Sequence, residues 1–151
     1  MSFVGDLLGG QAARKAADYN ANLIERDAKL KEQEGDQAWK VYEQFDLPRF
    51  NDAAEASTGA ARASTAARGV DVGSGSAYEI VLENEINLER DRTMMKFNAQ
   101  NAKDRKYNEA TNARAEAAIQ RYRGQVAQTA SYFNAASSLL GNYNAWQKAK
   151  G

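Results

Sequence analysis

The chain has 151 residues, and its 20 lysines and arginines are matched by 20 aspartates and glutamates, so no net field draws it to nucleic acid. It contains no cysteine and no histidine, which excludes disulfides, thiolate nucleophiles, zinc ribbons and the commonest general base. Its 43% hydrophobic content leans on alanine and proline occurs once, so helix propensity is high and strand propensity has little to act on. The expected fold is all-α: an elongated antiparallel helical hairpin with a kinked first helix, assembling into an oligomeric helical ring or bundle. No catalytic, cofactor-binding or metal-binding residue is assigned, no cofactor is called for, and the expectation is that the chain is not an enzyme.

In chain order, residues 1–10 are read as a flexible N-terminus. Met1 to Ala13 lacks a basic region, and its short apolar run at Val4, Leu7 and Leu8 is broken by Asp6, so it does not read as a signal peptide. Residues 11–68 form the first helical arm, with Ala16, Leu23 and Leu30 spaced by seven and Ala17, Ile24 and Ala28 beside them. Pro48 disfavours helical geometry at Leu47, so the helix is expected to kink or break between residues 46 and 50 and resume near Phe50. Trp39, Tyr42 and Phe45, three apart, are expected to form an aromatic packing cluster at that kink.

Residues 69–76 form a glycine-rich hairpin turn in which Gly69, Gly73 and Gly75 supply positive-φ positions. Ser76 and Glu79 fit a capping box that starts a new helix at Ala77. The turn lacks the Lys-Ser/Thr pair of a Walker loop, which argues against phosphate binding. The second helix is placed at 77–123. Val81, Leu88, Met95 and Ala102 repeat every seven residues along it, while Ile86, Phe97, Asn108 and Ile119 repeat every eleven. The asparagines at 84, 87, 98, 101, 108 and 112 either bridge helices or form a solvated face. Acidic residues open this helix and basic ones follow, which suits antiparallel pairing with Arg62 and Arg68 at one end and the acid-rich stretch from Glu25 to Asp46 at the other.

Residues 124–151 form a C-terminal helix or tail in which Gly124 to Gln147 carries no charge. Val126, Tyr132, Phe133, Leu139, Leu140, Tyr143 and Trp146 are its candidate membrane or oligomer contacts. As a helix the segment is about 36 Å long, enough for a bilayer core of roughly 30 Å. Gln125, Gln128, Asn134, Asn142, Asn144 and Gln147 make it too polar to insert alone. Two arrangements stay open: amides facing a wet lumen with aromatics toward lipid, or the whole face packed on a protein neighbour.

Gly9-Gly10-Gln11-Ala12-Ala13, the turn from Arg68 to Ser76, the Glu/Asn/Arg-rich helix after it and the small-residue run Ala135-Ala136-Ser137-Ser138-Leu139-Leu140-Gly141 occur in a set order. That order resembles the smallest internal virion proteins of short-tailed phages of the coliphage T-seven type, over nearly the whole chain. The resemblance implies a virion protein of the internal core and ejection apparatus, inside the capsid near the portal. Its implied partners are copies of itself, the other internal core proteins and the portal, with the host envelope membrane reached after ejection; specific nucleic-acid binding is not expected. This chain departs from the pattern in having only a moderately apolar membrane candidate. The alternative is a head-to-tail connector or capsid-attached helical adaptor with no membrane role. A lytic glycosidase would need a carboxylic acid in a walled cleft, and nothing in the sequence builds walls.

Overall fold

The structure, a computed structural model, describes residues 3–69, 73 and 75–150. Among the described residues only Arg68, Gly69 and Gly73 are not helical, and none is in a strand. Helix α1 spans Phe3–Val41, a π-helical turn spans Tyr42–Asp46, helix α2 spans Leu47–Ala67 and helix α3 spans Gly75–Lys150. The chain divides into two compact units, one of Met1–Lys31 with Asn108–Gly151 and one of Glu32–Tyr107.

In the first unit α1 and α3 run antiparallel, and the buried residues are small. Ala21, Ala28, Ala110, Ala113, Ala117 and Ala135 are buried. Ala28, Ala110 and Ala113 form one cluster, with Ile24 packed against it. The inner row of α3 is Ala110, Ala117, Gly124, Ser131 and Ser138, one residue every seven, and none of them is exposed. A Cβ on Gly124 would sit 2.5 Å from that of Ala17 and 3.3 Å from the Arg14 Cα, so glycine at this position permits the close approach of the helices. Separation between packed helices is set by the side chains at the contact, and here almost nothing larger than alanine holds them apart.

In the second unit the rest of α1, the π-helical turn and α2 lie against the N-terminal part of α3. Tyr42, Ala77 and Val81 are buried, and Leu88, Met95 and Ala102 are partly buried, so the seven-residue series is the one that faces the other arm. Gly35 is a second close approach, where a Cβ would lie 3.1 Å from the Lys106 Cβ and 3.2 Å from the Lys103 carbonyl oxygen. At the end of α2, Gly69 adopts a φ of 72° and its N–H donates to the Ala66 carbonyl at 2.9 Å. That is the left-handed cap that ends helices at glycine.

Several expectations are corrected. Residues 3–10 belong to α1 and are not a flexible lead, since Gly10 is buried and the Ser131 hydroxyl donates to the Asp6 carbonyl. The chain neither breaks before Pro48 nor resumes at Phe50, because Leu47 keeps helical angles and its N–H bonds to the Tyr42 carbonyl. One wide turn absorbs the missing donor and the ring clash of proline, and π-turns are a known way to do this. Of the aromatic trio, Trp39 and Tyr42 pack with ring centroids 5.2 Å apart, while Phe45 is 59% exposed.

The stripe of Ala16, Leu23 and Leu30 faces outward, with Leu23 and Leu30 46% and 49% exposed. Its neighbours Ala17, Ala21, Ile24 and Ala28 form the contact instead. Helix α3 begins at Gly75, two residues before Ala77, and passes through Gly124 without a boundary. The division into 77–123 and 124–151 is therefore absent from the backbone.

Candidate interaction surface

Ion pairs fix the rotation of α3 about its own axis. In the first unit the Arg121 guanidinium donates to Glu25 at 2.5 Å and to the Asn22 side-chain oxygen at 2.8 Å, and Arg14 donates to Gln128 at 2.8 Å. The hydrogen bond from Arg121 holds the Glu25 carboxyl below its ordinary range and raises Arg121 in turn. In the second unit the Tyr107 hydroxyl donates to Asp36 at 2.9 Å, and the Lys103 ammonium lies 3.1 Å from the same carboxylate. The Tyr107 hydrogen bond, then that of Lys103, lowers Asp36, and the Asp36 carboxylate raises both partners. Lys106 with Glu34 at 2.8 Å and Arg62 with Glu85 at 2.6 Å complete the basic-on-acidic pairing that the order of charges predicts.

Of the asparagines at 84, 87, 98, 101, 108 and 112, all but Asn84 are exposed, which is the solvated option. The asparagines that bridge helices are on the other arm. Asn22 accepts from Arg121, and Asn51 accepts from Arg92 at 2.8 Å.

With its small row turned inward, α3 of the first unit turns a large row outward. Ile119, Val126, Phe133 and Leu140 each follow Ala110, Ala117, Gly124 and Ser131 by nine residues, about two and a half turns, which places them on the opposite face. They also repeat every seven. Tyr122, Phe133 and Leu140 are 66%, 70% and 67% exposed. Thr129 and Ala130 lie between Val126 and Phe133, and together with Tyr122 and Gln125 these residues line a groove of about 430 Å³.

The seven candidate contacts of the tail thus divide. Val126, Phe133 and Leu140 stand on this outer face. Tyr132 lies to one side of it, where its hydroxyl accepts from the Gln128 amide at 3.0 Å. Leu139, Tyr143 and Trp146 are exposed and follow the inner row's last member, Ser138. Tyr143 accepts from Gln147 at 2.7 Å, and its ring centroid is 6.3 Å from that of Trp146. The side chains of Asn142 and Asn144 lie outside the described residues. Ile119, Tyr122, Thr129, Ala130 and Ser137 are members of the outer face that sequence reasoning missed. The seven-residue spacing of Ile119 with Val126, Phe133 and Leu140 is the signal for this face, and the competing eleven-residue spacing of Ile119 with Ile86, Phe97 and Asn108 obscures it.

At the turn, Gly69 and Gly75 have φ of 72° and 66°, as expected of positions that favour glycine. Ser76 is the second residue of α3, inside the boundary that the capping pattern implied, and both Ser76 and Glu79 are exposed. Gly73 is exposed, and Val70, Asp71, Val72 and Ser74 lie outside the described residues.

Among the described residues no group of acidic side chains is placed to hold a metal ion, and no helix is long and apolar enough to cross a membrane. No protein-family model, curated protein or solved structure matches the chain.

Proposed function

We propose that this chain is a structural protein of a phage virion. In this reading it is a component of the internal core and ejection apparatus that oligomerises near the portal and assists genome delivery across the host envelope. The observation that carries the self-assembly part is the inverted distribution of side-chain size in the first unit: its helix pair buries alanine and glycine and partly covers Ser131 and Ser138, while Tyr122, Val126, Phe133 and Leu140 stand in solvent. Full burial of one such side chain is worth roughly 1.5–3 kcal/mol. The isolated chain leaves that stabilisation unused, and copies of itself or neighbouring core proteins recover it.

The virion part is supported by the resemblance of the ordered features to internal core proteins, and by a helix pair joined at a glycine turn that agrees with that order. Since no described helix crosses a membrane by itself, any envelope role in this reading belongs to the assembled oligomer.

The test is quantitative mass spectrometry of purified particles of the phage that encodes the chain, before and after triggered genome release. The expected result is several copies in full particles and loss from emptied ones. Retention in the emptied shell identifies a connector or adaptor instead, and absence from full particles overturns the virion reading.

A further inference from the structure

The outer face of α3 in the first unit is built as a knob-and-hole surface. Phe133 is a large knob, and one turn before it Thr129 and Ala130 form a small-residue floor between Val126 and Phe133 itself. From Gly124 to Gln147 no charged residue interrupts this surface. The exposed Leu23 and Leu30 on α1 are less suited to pairing, because they are interleaved with Arg26, Asp27 and Lys29.

A surface that carries both a knob and a matching hole a short distance apart along one axis can satisfy itself when two copies meet across a twofold axis. We propose that this face is an isologous contact with a second copy of this chain, the two α3 segments running antiparallel. Phe133 of each then enters the groove floored by Thr129 and Ala130 of the other. The proposal deepens the self-assembly reading above and rests on it.

The register follows from the insertion. With Phe133 level with the midpoint of Thr129 and Ala130 of the second copy, Leu140 falls between Ile119 and Val126, over Tyr122. Val126 comes level with the Ala136 and Ser137 pair. Phe133 and Val126 thus each meet a gap between large residues, as knobs-into-holes packing requires, while Leu140 packs on the Tyr122 ring. The charged residues next to the stripe, Glu116 and Arg123, come level with uncharged stretches of the second copy, so no like charges face each other across the contact.

The absence of native cysteine makes the register directly testable. In this pairing position 126 of one copy lies beside position 137 of the other. The two copies of position 126, like the two copies of position 137, are separated by about 16 Å along the axis, beyond the Cα separation of about 7 Å that a disulfide tolerates. Val126→Cys and Ser137→Cys both change exposed positions outside the helix contact, so neither is expected to unfold the chain.

Under mild oxidation a mixture of the two variants is expected to form the mixed disulfide, while neither forms one alone. Adding Phe133→Asp to both abolishes it without loss of helicity. A disulfide of Val126→Cys with itself means parallel pairing or a different antiparallel register, and either overturns the proposal. Absence of any disulfide in a chain that still associates by sedimentation means that another surface is used, which overturns this contact and leaves the self-assembly reading standing. A chain that stays monomeric overturns both, and if it binds neutral lipid vesicles through Phe133 the face is assigned to lipid.

Discussion

At the scale of single residues, ionisable pairs between the arms give the fold a defined dependence on pH. Glu25 and Asp36 are held below their ordinary values of 4.5 and 3.8 by Arg121 and by Tyr107 with Lys103. A depressed folded pKa contributes stability that is present above the ordinary value and is lost as pH falls through the folded one. The thermal midpoint followed by circular dichroism is therefore expected to be steady from about pH 7 to about pH 5 and to fall below about pH 4. Tyr107 and Lys103 are raised above 10.0 and 10.5 by the Asp36 carboxylate. They contribute stability that is present below those values and is lost as pH rises through the raised ones, so a second decline is expected in strong alkali. Glu25→Gln with Asp36→Asn should flatten the acid limb. An unchanged acid limb in that double variant would assign the sensitivity to other carboxylates. Because these groups are only half-buried and remain in contact with solvent, salt should weaken both limbs.

At the scale of elements, the helix pair rewards smallness at its contact, and glycines on and off that contact should respond in opposite directions. Gly124 lies where a Cβ would meet Ala17, whereas Gly59 in α2 has nothing within 4 Å of the same construction. Gly59→Ala should stabilise the fold by about 0.5–1 kcal/mol through helix propensity and the unfolded chain. Gly124→Ala gains the same propensity but overpacks the contact by about 1–3 kcal/mol, so its net effect is expected to be destabilising. Chemical denaturation of both variants decides the point, and a stabilised Gly124→Ala would show that the arms are not closely packed there. The same contrast explains which parts of the fold were legible in the sequence. Composition fixed the helical class, the order of charges along α3 foretold the pairings of Arg62, Lys103, Lys106 and Arg121, and Gly69 marked the end of α2. The buried stripe was legible in part: Ala17, Ile24 and Ala28 stand beside the series of Ala16, Leu23 and Leu30, but large apolar periodicity centres the face on Leu23 and Leu30 and passes over Ala21, whereas small residues make the contact. Gly124 likewise looked like a boundary when it is a close approach. Pro48 reads as a break or a kink, and the helix answers it without a break, through the wide turn just upstream at Tyr42–Asp46.

At the scale of the whole molecule, the first unit stands out by an asymmetry of size: alanine and glycine line its helix contact while Tyr122, Phe133 and Leu140 stand in solvent, whereas the second unit buries Tyr42 and Val81. The outer face of the tail was legible in part, since Val126, Phe133 and Leu140 were singled out from an uncharged segment. Their separation from Tyr132, Leu139, Tyr143 and Trp146 depends on the rotation of α3 that the Arg121 pair sets, which spacing alone does not give. A chain that leaves Tyr122, Phe133 and Leu140 in solvent has an incentive to associate that its own core does not provide. The central claim is that copies of the chain cover this face. Sedimentation velocity over a wide concentration range tests it most directly, with the native chain and the Phe133→Asp variant compared at equal helicity. Reversible association of the native chain, growing with concentration and lost in the variant, is the expected outcome. A native chain that remains monomeric throughout, or a variant that associates as strongly, would contradict it.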